Sequence, residues 1–319
     1  MKKVTILIPC YNEEDTINIF YARVIDIINK MRDYHFELLF VNDGSTDNSL
    51  HLIKTLKIND TRVSFVDLSR NFGKEIAMLA GFDFLDSDAA IIIDVDLQDP
   101  PELIPKMLHY WEEGYSDVYA RRISRKGETF FKKMTSYFFY RMLQKTTNIA
   151  IQIDTGDFRL LDRQCIEAFR QIREVQRYTK GLFSWIGYKK KEIPFERAAR
   201  VAGKSKWNYI KLTNLAIEGF LSFTILPLRI ASICGFIISL GAFTFMITII
   251  IQTLFYGNKV EGYPSLISII LFACGIQLVV LGIIGEYLGR IFIETKNRPL
   301  YLVNEYNNEK ITYINKGLK

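Results

Sequence analysis

Asp94 and Asp96 stand two residues apart at the end of the apolar run Ile91-Ile92-Ile93. Residues i and i+2 of a strand point to one side, so a strand ending here delivers both carboxylates to the same edge of a sheet. Paired carboxylates are oxygen ligands for a hard divalent cation. Mg2+ or Mn2+ takes one or two of them together with substrate phosphates. The run continues Leu97-Gln98-Asp99-Pro100-Pro101-Glu102, which sets Gln98 beside the pair. Two other polar clusters come earlier. Pro9-Cys10-Tyr11-Asn12-Glu13-Glu14 follows the apolar run Val4–Pro9. Tyr11 suits stacking on a base or edging a pocket, and Glu13 suits accepting hydrogen bonds from a ring or ribose. The same acids would also favour the first turn of a helix through its dipole. Asn42-Asp43-Gly44-Ser45-Thr46-Asp47 closes the next apolar run. Asp43 suits a nucleoside contact and Gly44 a close approach, while Ser45 and Asp47 suit helix capping. The first turn carries no GxGxxG, so a dinucleotide reading lacks its phosphate loop.

The elements that must position these clusters alternate. Val4–Pro9, Phe36–Val41, Val63–Leu68, Ala89–Ile93 and Val118–Ala120 read as strands. Helical stripes fall between them, from Asp15 to about Met31, Thr46–Leu56, near Gly73–Leu85, and Pro101 to about Glu113. Such alternation predicts an α/β domain with a mostly parallel sheet covered on both faces. Ligands of these sheets gather at the carboxyl ends of the strands, where all three clusters lie.

The chain of 319 residues is 24% charged, which excludes a disordered or a fully membrane-embedded protein. Its four cysteines, Cys10, Cys165, Cys234 and Cys274, are too scattered for a zinc site or a disulfide scaffold. Its net charge of +6 conceals three regions. Residues 1–120 hold 11 basic and 21 acidic residues, 121–211 hold 22 and 8, and 212–319 hold 8 and 6. A basic block after an acidic domain needs an anionic partner, nucleic acid or lipid. The last third favours lipid. Ile230–Asn258 is uncharged over 29 positions and Gly262–Gly285 over 24. Each exceeds the roughly 20 residues that cross a bilayer as a helix. Spans at about 230–256 and 263–286 are therefore predicted, forming a hairpin. Arg229, Arg290, Lys296 and Arg298 flank it, whereas its connector holds only Lys259. The positive-inside rule then puts the large amino-terminal region and both termini in the cytoplasm, in a multi-pass protein of the inner or plasma membrane. The amino-terminal apolar stretch is too short for a signal peptide.

The order PCYNEE, VNDGSTDNS, RNFGKEIAMLAG, DVDLQDPPE resembles the inverting family-2 glycosyltransferases of GT-A (Rossmann-like) fold. The continuation DTGDFRLLDR, QRYTKGLFSWIGYKK and RVAGKSKW, with two terminal spans, resembles their polyprenyl-phosphate branch. That branch includes dolichol-phosphate mannose synthases and bacterial undecaprenyl-phosphate glucosyltransferases. The resemblance implies a nucleotide-sugar donor, a polyprenyl phosphate acceptor, a divalent cation and a homo-oligomer, a tetramer in the family. UDP-glucose is the first choice of donor, with GDP-mannose, UDP-N-acetylglucosamine and a modified arabinose donor as alternatives. Pro9, Tyr11, Glu13 and Asp43 match nucleoside contacts. Asp94 and Asp96, with Gln98, match the metal and diphosphate set. Asp157 matches the position proposed as catalytic base, and Lys74, in the family's Gly-Lys segment, is a nucleotide-sugar-binding candidate. Arg122, Arg200 and Lys206 match phosphate-contacting positions, with Arg121 competing for the role of Arg122.

The implied organisation is a catalytic domain over 1–206 that includes an interfacial helix near 129–145. A juxtamembrane helix over 207–228, the hairpin over 229–290 and a cytoplasmic tail over 291–319 follow. In the two interfacial segments, basic residues alternate with aromatic and aliphatic ones, as suits helices at headgroup level, so nucleic acid is not expected. Two rival classes share parts of this pattern. A processive polysaccharide synthase would show more spans and a QxxRW motif, of which only Gln176-Arg177-Tyr178 is present. A non-enzymatic lipid-handling protein would not need the aspartate pair.

Overall fold

The computed structural model describes residues 1–123, 155–175, 177–196, 226–256 and 262–311. They fall into two compact units, Met1–Ser222 with Pro299–Lys319, and Phe223–Arg298. The predicted interfacial helices near 129–145 and over 207–228 lie outside the described residues, apart from residues 226–228.

The first unit is built on a nine-stranded sheet. Its amino-terminal part alternates as predicted. β1 (Lys2–Cys10), α1 (Ile17–Ile28), β2 (Tyr34–Asn42), α2 (Ser49–Asn59) and β3 (Val63–Leu68) come first. α3 (Lys74–Phe84), β4 (Ala89–Ile92), a 3-10 turn (Pro101–Leu103), α4 (Ile104–Glu112) and β5 (Asp117–Arg122) follow. Residues 155–195 add β6 (Thr155–Asp162), α5 (Arg163–Gln171), α6 (Thr179–Trp185) and β7 (Lys190–Phe195). The strand order is β7-β5-β6-β4-β1-β2-β3, continued by β8 (Val303–Tyr306) and β9 (Glu309–Lys310).

The sheet is mixed rather than mostly parallel. β1 pairs in parallel with β2 and β4, and β2 with β3. β6 runs antiparallel between β4 and β5, and β8 runs antiparallel on β3. The segment predicted as a tail thus supplies two strands. β1 is buried at every position from Val4 to Ile8 because both its faces are covered, and all but Thr5 of these are apolar. Ile6 and Ile8 pack in one core with the α1 stripe Ile17, Phe20, Val24 and Ile28, with Ile53 of α2 and with Met107 of α4. On the other face α3 lies across β1, β2 and β3, and its Phe82 stacks on Phe169 of α5 at 5.3 Å.

The second unit holds two long helices, α7 (Leu226–Tyr256) and α8 (Tyr263–Thr295). Their large apolar side chains face outward, Phe236 at 70% and Leu278 at 69% exposure. Among the described residues one stretch, Phe272–Thr295, is long and apolar enough to cross a membrane, with mean hydropathy 1.7. A shorter described apolar stretch, Ile230–Phe245, lies within the 31-residue α7. Two helices stand where the spans are predicted, and among the described residues the full spanning window falls in α8.

Candidate active site

The loops after β1 and β2 interlock. Asn12, in left-handed backbone at φ 54°, donates its amide to Ser45 Oγ at 3.0 Å and accepts the Thr46 amide on Oδ1 at 2.8 Å. The Glu13 amide donates to Ser49 Oγ at 2.8 Å. Asp47 accepts the Glu14 amide on one oxygen and the Ser49 amide on the other. Despite desolvation, these bonds hold Asp47 below the ordinary carboxylate range. Pro9, one residue before the end of β1, is half-buried, Tyr11 stands 36% exposed, and Glu13 Oε2 accepts the Thr16 hydroxyl at 3.1 Å.

Asp43 is buried and spends both oxygens on the loop after β3, accepting the Phe72 amide at 2.7 Å and the Gly73 amide at 2.9 Å. Burial raises its pKa and the two amides draw it back. Gly44, at φ +63°, lets that loop close in, since a Cβ there would lie 2.3 Å from the Arg70 carbonyl carbon. The sequence predicts a nucleoside contact at Asp43, and the structure adds that Asp43 fixes the backbone leading into α3.

α3 opens with Lys74, which joins two of the predicted carboxylates. Its Nζ lies 2.7 Å from Asp94 Oδ2 and 2.5 Å from Asp157 Oδ2. Desolvation opposes the charge on Lys74, but Asp157 and Asp94 outweigh it and raise its pKa. In Asp157 the balance mirrors this: burial is overcome by Lys74, then Lys180, and the carboxyl stays ionised far below its usual range. Asp157 is brought here by β6, and its Oδ1 has no partner among the described residues.

The aspartate pair does not sit on a strand. β4 ends at Ile92, and Asp94 and Asp96 occupy the turn that follows, where Leu97 takes φ 56°. The carboxylates are therefore not held side by side by strand geometry. Asp94 reaches Lys74, while Asp96 Oδ1 accepts the Gln98 amide at 3.1 Å. Gln98 is buried beside them.

Arg121 and Arg122 separate. Arg121 pairs with Glu192 at 3.2 Å and is half exposed, whereas Arg122 Nη2 lies 3.7 Å from the buried Asp99. Arg122 also lies against Gly156, where a Cβ would meet its Nη2 at 2.9 Å. Arg200 and Lys206 lie outside the described residues. Burial and then the Asp94 charge push Asp99 up to about 6, and its Oδ1 has no hydrogen-bond partner among the described residues. The turn thus gathers more negative charge than Lys74 and Arg122 balance, which fits a cation. Among the described residues no three His, Cys, Asp or Glu side chains converge as a metal cage. Asp94 and Asp96 would hold Mg2+ or Mn2+ only with a ligand's phosphates completing its shell, as is usual for Mg2+.

Three charged residues of the site were not predicted from sequence. Glu75 accepts the Thr179 amide at 3.1 Å, tying α3 to α6. Asp99 belongs to the quoted LQDPPE run, and its partner Arg122 is 23 positions away in sequence. Arg159 is fully buried, pairs with Asp117 at 3.0 Å and lies 3.6 Å over the Phe183 ring. An i+2 relation to Asp157 on β6 is the signal that could have found Arg159.

The family model described as "Glycosyl transferase family 2" matches residues 5–170. An uncharacterised glycosyltransferase of Synechocystis is 46% identical, covering 95% of each chain. A prophage bactoprenol glucosyl transferase homologue of Escherichia coli is 42% identical over 94% of this chain and 98% of its own. The bactoprenol glucosyl transferase of Shigella phage SfV is 41% identical over 97% and 99%. Glucosyl-3-phosphoglycerate synthase from Mycobacterium tuberculosis shares 17% identity at a TM-score of 0.48, covering 67% of this chain and 75% of that one.

Proposed function

The chain belongs to glycosyl transferase family 2, and we propose that it moves a glucosyl group from a nucleotide-sugar to a polyprenyl phosphate of the bactoprenol type. UDP-glucose is the proposed donor. Three relatives support the acceptor class by their names, matched here almost end to end. The observation that carries the chemistry is the Lys74–Asp157 pair. A sugar or lipid hydroxyl would need a strong base to become a nucleophile. A carboxylate held ionised by a lysine at 2.5 Å is a weak one. A phosphate monoester needs no such help, because its second pKa is about 6.

In this reading an acceptor phosphate oxygen attacks the anomeric carbon as the bond to the nucleoside diphosphate breaks, with inversion. Asp94, Asp96 and Gln98 would hold the divalent cation, which when bound neutralises charge on the departing diphosphate. Arg122, with Arg200 and Lys206, meets phosphate oxygens, for which a guanidinium fork and an ammonium are suited. Asp157 orients the acceptor or takes its last proton. Pro9, Tyr11, Glu13 and Asp43 form the nucleoside side. α7 and α8 hold the enzyme in the membrane, with the catalytic unit and both termini cytoplasmic, so that the acceptor phosphate is met at the interface.

The test uses purified full-length enzyme in bactoprenol phosphate micelles with Mg2+ or Mn2+. Labelled UDP-glucose, GDP-mannose and UDP-N-acetylglucosamine are supplied in separate reactions. Label should pass from UDP-glucose into butanol-extractable lipid. Label entering no lipid from any donor would sink the reading, and transfer from another donor alone would replace the glucosyl assignment.

A further inference from the structure

The segment after α8 reaches the candidate donor site from the far edge of the sheet. β8 pairs with β3 at that strand's carboxyl end, Asp67 opposite Glu305 and Leu68 opposite Val303. Where β3 gives way to the Arg70–Gly73 loop, the Ser69 amide donates to the Leu302 carbonyl at 2.9 Å. Beneath it the buried Asp67 takes Asn42 Nδ2 on one oxygen at 2.7 Å and Asn304 Nδ2 on the other at 3.3 Å. The same segment holds the other end of α3. Tyr301 donates its hydroxyl to Asp83 at 2.6 Å, and the Tyr306 ring lies 4.9 Å from Phe84.

The loop is therefore held from two directions. The Asp43 carboxylate and the Gly44 close approach fix Phe72 and Gly73 from the β2 side. The carboxyl-terminal segment fixes Ser69 from the β8 side. Lys74, the residue that joins Asp94 and Asp157, is the next position after this doubly held loop. An ammonium stem with four rotatable bonds gains its aim from the backbone that carries it, and small misplacements at reacting groups lower turnover and binding steeply.

We infer that Tyr301–Tyr306 is a positioning strap, which uses Asn304 on Asp67, Leu302 on Ser69 and Tyr301 on Asp83 to set the loop and helix that present Lys74 to the donor. The inference rests on the proposed donor side, to which Asp43, the partner of this loop, and Lys74, the residue after it, are assigned. It gives the carboxyl terminus a task distinct from anchoring, and it makes simple truncation before α7 a poor way to isolate the catalytic unit. Such a chain loses β8 and leaves the β3 edge bare, which invites pairing with other chains.

The test uses the full-length enzyme with the double variant Tyr301→Phe, Asn304→Ala. Asn307→Ala serves as a control, because Asn307 accepts the Phe65 amide from the same segment at 2.9 Å but lies away from the loop. Two measurements are made: hydrogen exchange at the amides of Ser69–Gly73, and KM for nucleotide-sugar and for polyprenyl phosphate separately. The strap predicts faster exchange at Ser69–Gly73 and a donor KM raised about threefold to tenfold, the range a net hydrogen bond or two represents. Acceptor KM should be unchanged, and Asn307→Ala should move neither reading. Unchanged exchange in the double variant overturns the strap. Faster exchange with an unchanged donor KM overturns the donor assignment of the loop and leaves the mechanical link standing. Equal effects of the double variant and Asn307→Ala would reduce the segment to general support of the sheet edge and refute a positioning role.

Discussion

The two sides of α3's first residue treat carboxylates in opposite ways. On the nucleoside side, Asp43 and Asp47 give each oxygen to a backbone amide, and Glu14 takes the Asn48 amide. On the transfer side, Asp94 and Asp157 converge on Lys74, and Asp99 faces Arg122. Asp157 Oδ1, Asp99 Oδ1 and Arg122 Nε remain without hydrogen-bond partners among the described residues. The first arrangement is a frame: its charges are consumed in fixing loops. The second is a reserve of charge that loops do not consume and an incoming ionic ligand can engage. Buried polar atoms left unmet are costly, about 1–3 kcal/mol each, and on this side the three belong to charged groups, whereas the unmet atom beside the frame, Asn42 Oδ1, is a neutral amide oxygen.

Substitutions separate the two sides. The largest effect is expected at the aspartate pair. Asp94→Asn and Asp96→Asn should each lower transfer by about a thousandfold or more, the scale of losing an electrostatic group at a charge-developing centre. The circular dichroism spectrum should stay unchanged. Undiminished wild-type transfer in excess chelator would remove the cation from the reading. Asp157→Asn comes next, with kcat falling about a hundredfold. The acid limb of the pH–rate profile should stay near pH 6 in that variant, because it belongs to the acceptor phosphate. Disappearance of the limb would make Asp157 the titrating base and break the contrast.

On the frame side, Asp43→Ala frees the Phe72 and Gly73 amides. Stability should fall by about 2–4 kcal/mol in denaturant melts, since bonds to a charged acceptor contribute about 1.5–3 kcal/mol each and partly re-form with water. Donor KM should rise about tenfold while kcat changes little. A collapse of kcat at unchanged KM would place Asp43 in the transfer chemistry instead.

The same contrast explains what could be read in advance. The parallel strands β1–β4 and their helices were legible because a parallel pair needs a crossover helix, which makes the two periods alternate visibly. β6 and β8 enter antiparallel without that punctuation. β6 brings in Asp157, whose candidacy came from resemblance alone, and β8 was hidden in a segment that resembled a tail. The close approach at Gly44 was legible from a residue that tolerates positive φ, whereas the Asn12 link between the two turns was not read, because its partners lie more than 30 positions away. The meeting of Lys74 with Asp94 and Asp157 did not, because it joins positions 20 and 83 residues apart. The strand placement of the aspartate pair failed because Ile93 looks like strand but lies past the last ladder pairing at Ile92.

The variant with the smallest expected effect on transfer sharpens the contrast most, because it reads the charge on this side without touching a proposed ligand. Glu75 lies on the transfer side and accepts the Thr179 amide. Burial, then the negative charge of Asp157, pushes its carboxyl up to about 7, against the opposing pull of Lys74, the Thr179 amide and Lys180. The folded chain therefore keeps this proton to a higher pH than the unfolded chain, where a glutamate titrates at about 4.3. Below about pH 4 both states are protonated and Glu75 carries no penalty. Between there and about pH 7 the unfolded chain ionises first, so stability is lost as pH rises, and above 7 the loss is constant. Glu75→Gln keeps an oxygen to accept the Thr179 amide and removes the charge. The variant should match wild type in urea melts at pH 3.5 and exceed its stability by up to roughly 3–4 kcal/mol at pH 8, since the folded value of about 7 and the unfolded value of about 4.3 differ by between two and three tenfold steps of about 1.4 kcal/mol each. Equal stabilities at both pH values would mean that the repulsion between Glu75 and Asp157 is already relieved, and that the transfer side holds less uncompensated charge than its geometry suggests.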